Sequence, residues 1–249
     1  MKQSCVAFIP ARSGSKRIPD KNVKKLGNHP ILAYTIQAAL ESHVFDAVIC
    51  ATDSQTYASI ATYYGAEAPF LRSVEISGDK SSDIEWVEWM LVKLSEIGRD
   101  YEFFSILRPT NPFRSASTIK RAWLAFSSDS KADSLRAVEK CKQHPGKMWQ
   151  IDGNRMNPIM ACKIGSVPWH SSQYQNLPEF YAQNASLEIA KASVVLDHNS
   201  ISGDQIVPFI TSGFEGFDIN MFEDWLLAEQ LLAHEKAKLP EISLPPYEN

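Results

Sequence analysis

A chain of 249 residues, 44% of them apolar and 22% charged, carries enough apolar side chain for one large core, so a single domain spanning 1–249 is expected rather than two small ones. A formal net charge of −4 excludes a protein that grips nucleic acid on a broad basic face, and any polyanion it binds must meet a local patch. Cys5, Cys50, Cys141 and Cys162 show no C-x-x-C spacing, which disfavours a metal or redox motif and reads as reduced core thiols.

The first element is the apolar run CVAFIPA (5–11), a buried strand. Its purely apolar part, Cys5 to Ile9, is shorter than the roughly 7 to 15 residues of a signal-peptide core. No stretch approaches the roughly 18 apolar residues of a membrane span. No membrane partner and a cytoplasmic location are therefore expected.

A polar, basic loop follows, then a helix over 29–42 with Ile31, Tyr34, Ile36, Ala38, Ala39 and Leu40 suited to a buried face, and a second buried strand over 44–53 ending in Asp53. A helix from Thr56 stops near Gly65, and a further helix runs from Asp83 to Ile97. FFSILRPT (103–110) reads as a strand and Ser117 to Phe126 as a helix. This βαβα alternation predicts an α/β fold, a Rossmann-like and mostly parallel sheet flanked by helices. Ligands of such sheets bind outside the carboxyl ends of the strands, and those ends carry Arg12 to Asn22, Asp53, and Arg108 to Arg114, which one crevice can collect.

Between about 140 and 185 the pattern loses its period and becomes rich in Pro, Gln, Asn, Trp and Tyr. It reads as a protruding excursion from the sheet that serves dimerisation and part of a sugar pocket, and a homodimer is expected. Order returns with SVVLD (193–197), a strand at FDI (217–219), and a helix over 223–238, while LPEISLPPYEN reads as a loose terminus.

The sharpest signal is RSGSKRIPDKNVKK (12–25), with six basic residues against one acidic in a chain that is acidic overall. A Gly-Ser-rich loop leaving a buried strand lets backbone N–H groups approach phosphate oxygens, while Arg12, Lys16 and Lys21 neutralise a triphosphate. The plain alternative is a solvated basic turn, but solubility does not require the Gly-Ser spacing after the first strand of an α/β pattern. Neither G-x-x-x-x-G-K-[ST] nor G-x-G-x-x-G is present, which weakens kinase and dehydrogenase readings. Near the other end, N-M-F-E (220–223) has the form of a capping box with Asn220 as N-cap and Glu223 at the third helical position, and Asp224 reads as a first-turn acid. Trp86, Trp89 and Met90 repeat at helical spacing and read as core. The six histidines show no metal-ligand spacing.

IPARSGSKRIPDKN resembles the N-terminal signature of the CMP-sialic acid synthetases (acylneuraminate cytidylyltransferases), and ATDS (51–54), PFLR (69–72), Ser81-Ser82, LRPTNPFR (107–114) and FDI follow in that family's order. The resemblance implies a fold of the nucleotide-diphospho-sugar transferase type, with CTP and an acidic nine-carbon sugar as partners and Mg²⁺ (or Mn²⁺) as cofactor. It also implies that Arg12, Ser15, Lys16, Lys21 and Asn22 hold the CTP phosphates and that Ala11, Arg72 and Ser82 contact the nucleotide. Arg72 alone would read as a surface arginine, and Ser82 as an N-cap.

The family carries D-x-D where this chain has Asp218 and Asn220, which implies Asp218 as a Mg²⁺ ligand and leaves Asn220 as a weak ligand or as the cap. Arg108 stands where many relatives have Gln, near the sugar, so it pairs with a sugar carboxylate or else is an ion-pair residue at a strand end. NASLEIA (184–190) replaces a more usual N-G-x-x-Y-I, which keeps Asn184 as a sugar contact but implies a modified nonulosonic acid. The implied reaction is attack of the sugar's anomeric hydroxyl on the α-phosphorus of CTP, with Arg12, Lys16, Lys21 and Asp218 as the catalytic set. Two alternatives are the same chemistry on an eight-carbon (Kdo-type) acid and a nucleotide-sugar-binding protein without chemistry.

Overall fold

The computed structural model describes residues 4–78 and 81–248. The chain divides into two compact units, Met1–Ala137 with Asn184–Asn249, and Val138–Gln183.

In the larger unit β1 (Cys5–Pro10) is buried along its length up to Ile9. A short ribbon, β2 (Lys25–Leu26) with β3 (His29–Pro30), leads into α1 (Ile31–Ser42), which His43 ends in the left-handed region at φ 52°. β4 (Ala47–Ala51) precedes α2 (Gln55–Tyr63), capped by the Ser54 hydroxyl accepting from Tyr57 N–H. Gly65, at φ 94°, then turns the chain away at the predicted stop.

α3 (Asp83–Glu96) carries two acids in its first turn and buries Trp86, Val87, Met90, Leu91 and Leu94 along one stripe. β5 (Phe103–Ile106) and α4 (Ala116–Ser127) follow, the latter opened by a reciprocal cap between Ser115 and Thr118. β6 (Ser134–Lys140) leads into the smaller unit.

That unit holds two hairpins, β7 (Trp149–Asp152) with β8 (Arg155–Pro158) and β9 (Lys163–Ile164) with β10 (Val167–Pro168). Its small core stacks ring edges of Trp169, Tyr174 and Phe180 around the buried His144. His144 Nδ1 accepts from Gly146 N–H and Nε2 faces the Pro178 carbonyl, so the ring's proton sits on Nε2. Ile151, Met156 and Ile159 stand out into solvent.

The chain returns through β11 (Tyr181–Lys191), α5 (Ala192–Leu196), β12 (Ile206–Ile210) and α6 (Phe222–Ala233). The central sheet has the order β12-β6-β11-β5-β1-β4. β1 pairs in parallel with both β4 and β5, which places their carboxyl ends side by side. β11 runs antiparallel to β5, setting Glu188 opposite Ile106. The sheet is therefore mixed, though the α/β class and the mostly parallel, helix-flanked architecture are as expected.

Although both faces are covered, side chains still alternate between them. Cys5, Ala7 and Ile9 pack with α1, α2 and α4, while Val6 and Phe8 pack with α3 and α5. A third cluster joins Ile18 and Leu26 to Ile219 and Trp225 of α6. Cys5 and Cys50 are core thiols as expected, whereas Cys141 and Cys162 are only half-buried; all four are free. Among the described residues no helix is long and apolar enough to cross a membrane.

Four expectations need correction. FDI is not a strand: Ile219 is buried and its N–H bonds the Thr110 carbonyl, but no neighbouring strand continues the pairing. The helix expected over 223–238 stops at Ala233, where His234 caps it and Glu235 turns left-handed at φ 54°. Its N-cap is Met221, not Asn220, and Asp224 does the capping by accepting the N–H groups of Asn220 and Met221, each at 2.8 Å. The terminus is not loose. Ile242 packs against two core clusters, Tyr247 N–H donates to Tyr64 Oη, and Tyr63 Oη donates to the Pro245 carbonyl.

Candidate active site

The basic loop leaves the carboxyl end of β1 and is held from behind by a carboxylate at the end of β4. Asp53 accepts Ser13 N–H at 2.7 Å and Ser13 Oγ at 2.8 Å. Gly14 sits at φ 71° with open space where a Cβ would go, so glycine is needed there for backbone conformation and not for room. Asp20, left-handed at φ 50°, accepts the Tyr57 hydroxyl. Asn22 is buried and donates its amide to the Arg12 carbonyl, so its side chain first serves to hold the loop.

Lys21 crosses to another part of the chain: its ammonium donates to the Ile219 carbonyl at 2.8 Å. Ile219 N–H in turn bonds the Thr110 carbonyl at 2.8 Å. The basic loop, the Asp218 segment and the 108–114 segment are thereby stitched together at the mouth of the β1/β5 strand ends. Burial lowers the Lys21 pKa; Asp218 and Asp224 pull it back up, and Arg17 and Arg12 lower it further.

Two clefts open here and share Arg12, Ser15 and Lys21. One, of about 270 Å³, is walled by Pro10, Arg72, Trp86, Asp83 and Arg108. The other, of about 460 Å³, adds Lys16, Arg17 and Asn220. Arg72 is buried with its guanidinium 5.4 Å from the Trp86 ring centre, and its Nε has no hydrogen-bond partner among the described residues. It is not a surface arginine. Burial lowers its pKa, opposed by Asp53, Cys50 and Asp83.

Arg108 is an ion-pair residue within the described structure. Its Nη2 bonds Asp83 Oδ2 at 2.5 Å and Glu188 Oε1 at 3.0 Å. The other Glu188 oxygen pairs with Arg136, and Trp86 Nε1 donates to Asp83 Oδ1 at 2.9 Å. Burial opposes the ionisation of Asp83, but Arg108 and Trp86 outweigh it and hold the carboxyl below its ordinary value. Arg114, fully buried, donates to the carbonyls of Ser186 and Arg108 and to Thr35 Oγ1. Burial pushes its pKa down, and the charge of Arg108 adds to this.

Other expected site residues lie apart from the clefts. Ala11 is buried and bonds the Ala51 carbonyl through its N–H. Ser82 is exposed at the N-cap of α3 without a side-chain capping bond, and Ser81 lines the cleft in its place. Asn184 bonds Thr211 Oγ1 and Ser186 N–H, a local role in β11. Asp83, Trp86 and Glu188 were missed. Asp83 and Trp86 read as helix start and core stripe, and Glu188 lies on a strand whose polar first half hides it. A carboxylate inside the apolar run LEIA was the available signal.

As for a metal, Asp218 Oδ2 accepts the Asn220 amide at 2.6 Å, while its Oδ1 is buried with no hydrogen-bond partner among the described residues. A lone carboxylate oxygen beside Lys21 suits Mg²⁺, which takes one or two protein carboxylates and fills its shell from phosphate and water. Among the described residues no group of three or more His, Cys, Asp or Glu offers an all-protein cage.

Residues 6–145 match the family model described as "Cytidylyltransferase". The chain is 33% identical over 230 residues to a CMP-N,N'-diacetyllegionaminic acid synthase of Legionella pneumophila, covering 91% of this chain and 95% of that protein. It is 46% identical over 122 residues to an N-acylneuraminate cytidylyltransferase of Escherichia coli, covering 49% of this chain and 28% of that one. Among solved structures, a CMP:2-keto-3-deoxy-manno-octonic acid synthetase complexed with CTP superposes with a TM-score of 0.68 at 12% identity, covering 94% of this chain and all of that one, a likeness of fold. The chain belongs to the cytidylyltransferases, and within them to the nucleotidyltransferases of the CMP-sialic acid synthetase type.

Proposed function

We propose that this enzyme joins CMP, taken from CTP, to the anomeric hydroxyl of a nonulosonic, sialic-acid-like sugar and releases pyrophosphate. The observation that carries the proposal is the stitch from Lys21 to Ile219 to Thr110, which brings a cationic loop, a carboxylate with a spare oxygen and an arginine-bearing strand end to one place. The nucleoside end of CTP lies along Arg72 and Trp86, and the phosphates lie against Arg12, Ser15, Lys16 and Lys21. That a relative covering nearly the whole chain is a legionaminic acid enzyme supports a modified nine-carbon acid as the acceptor.

The hydroxyl oxygen attacks the α-phosphorus in line and forms the new P–O bond as the α–β anhydride breaks, with pyrophosphate leaving and the hydroxyl proton released to solvent. No enzyme nucleophile is needed, because aligning two bound reactants is worth ~7 to 11 kcal/mol and fixed cations meet the charge that develops on the phosphate oxygens. Asp218 would hold Mg²⁺ (or Mn²⁺), with Asn220 at most a weak second ligand, and the ion would supply further charge neutralisation at the phosphates.

Cytoplasmic work fits four free cysteines. Homodimerisation through the unit around 140–185 fits the exposure of Ile151 at 77% and Ile159 at 61%. Light scattering on I151D/I159D protein should show monomers where the parent gives dimers.

The test of function is pyrophosphate release with CTP and Mg²⁺ across N-acetylneuraminic, pseudaminic, legionaminic and Kdo acids. Release with a nine-carbon acid and CTP alone establishes the reading. Release only with Kdo moves the acceptor to the eight-carbon class, and silence in protein that still binds CTP makes it a binding protein.

A further inference from the structure

Arg108 faces the smaller cleft with its side chain 27% exposed, and two carboxylates share it. They are not equivalent. Glu188 is 8% exposed and pinned by Arg136 through its second oxygen, so it cannot leave without stranding a buried cation. Asp83 is 35% exposed, lines the same cleft, and has a second hydrogen bond, from Trp86 Nε1, that does not involve Arg108. Arg108 thus has a permanent inner partner and a replaceable outer one.

We propose that Asp83 is an internal stand-in for the sugar's carboxylate, so that the acidic sugar binds by displacing Asp83 from Arg108. This rests on the acceptor being an acidic sugar, as proposed above. Both Asp83 oxygens meet the guanidinium, at 2.5 and 3.4 Å, which is the side-by-side approach a sugar carboxylate would copy. Asp83 is then a specificity-determining residue that acts through Arg108: it neutralises the arginine while the site is empty, and it makes a neutral sugar, which cannot compete for the guanidinium, a poor substrate.

Asp83→Asn removes the competing charge while keeping an oxygen for Trp86, and D83S, compatible with a helix start, serves if the first variant folds badly. Removing a rival worth a partly exposed ion pair should lower KM for N-acetylneuraminic or N,N'-diacetyllegionaminic acid by about three- to fivefold, whereas KM for CTP should not fall, since Asp83 supports the Trp86 that lies along the nucleoside. R108Q should raise the sugar KM, and adding D83N to R108Q should bring no further fall, since the two residues act as one unit. General damage to the site would raise KM or lower kcat, the opposite direction. Turnover in the parent protein with an unchanged or higher sugar KM in both Asp83 variants overturns this inference alone. No turnover in the parent with any acidic sugar overturns the proposed function and this inference with it.

Discussion

Lys21 carries a charge that the fold tolerates with difficulty. Its ammonium is bonded to the Ile219 carbonyl, flanked by Arg12 and Arg17, and relieved by Asp218. Lys21→Ala should cost about 1 kcal/mol of stability for the lost hydrogen bond, while kcat/KM falls on the order of 10² to 10³ from the missing cation. Near-normal kinetics in folded protein would remove Lys21 from the phosphate site. Because its pKa is lowered in the fold, the unfolded chain binds the extra proton between the folded value and lysine's ordinary 10.5. Over that window stability rises with pH, while CTP affinity falls as the charge is lost. Lys21→Arg should move the alkaline limb of CTP binding upward in pH. Asp218→Ala tests the metal separately: half-saturation by Mg²⁺ should rise on the order of tenfold or more, as removal of ligand-shell groups commonly does. An unchanged titration would place the ion elsewhere.

At the scale of elements, Arg114 joins what the sequence keeps apart. It donates to Thr35 on α1, to Ser186 on β11 and to the Arg108 carbonyl at the end of β5. Arg114→Met should strand those acceptors at about 1–3 kcal/mol each, seen as a lower urea midpoint, and Arg114→Lys, with a point charge in place of the fork, should recover only part of the loss. An unshifted midpoint would show that the acceptors find other donors. The same element shows where sequence reading succeeds and where it ends. β1, α1 and α3 are legible because apolar spacing and flanking turns are local, and the basic loop is legible because its composition contradicts the rest of the chain. β11 is not legible, since its first half reads YAQNAS and its pairing with β5 reaches only Glu188 to Lys191, so the strand depends on neighbours remote in sequence on both sides, β6 and β5. Glu188, and with it the second partner of Arg108, is hidden for that reason. Asn220 shows a finer failure: the capping pattern is real but shifted by one residue, because Asp224 reaches back to two N–H groups where Glu223 was expected to reach one.

For the whole molecule, the carboxyl-terminal segment ties the larger unit together from its rear. Ile242 packs both against the cluster of β1, α1 and α2 and against the one holding Ile18 and Trp225, so it bridges two parts of the core. The Tyr247 ring meets Tyr63 edge-on at 5.3 Å, and the two backbone bonds to Tyr63 and Tyr64 fix the segment over α2. Tyr247 and Glu248 also line a cavity of about 720 Å³ together with Ser13, Asp20 and Tyr57, the rear of the basic loop. A chain ending at Leu239 loses the Ile242 side chain, an aromatic contact and two hydrogen bonds, and should unfold with about 2 to 4 kcal/mol less stability. It should also bind CTP more weakly, since water then reaches the side of the loop where Asp53 and Tyr57 hold Ser13 and Asp20. Sugar KM at saturating CTP should stay unchanged, because Arg108 is held by Asp83 of α3 and Glu188 of β11, and the tail's hydrogen bonds go instead to Tyr63 and Tyr64. Equal stability in the truncated and full chains would mean that the segment only rests on the surface. A loss of stability without a change in CTP affinity would mean that Asp53 and Tyr57 hold the loop without help from the tail.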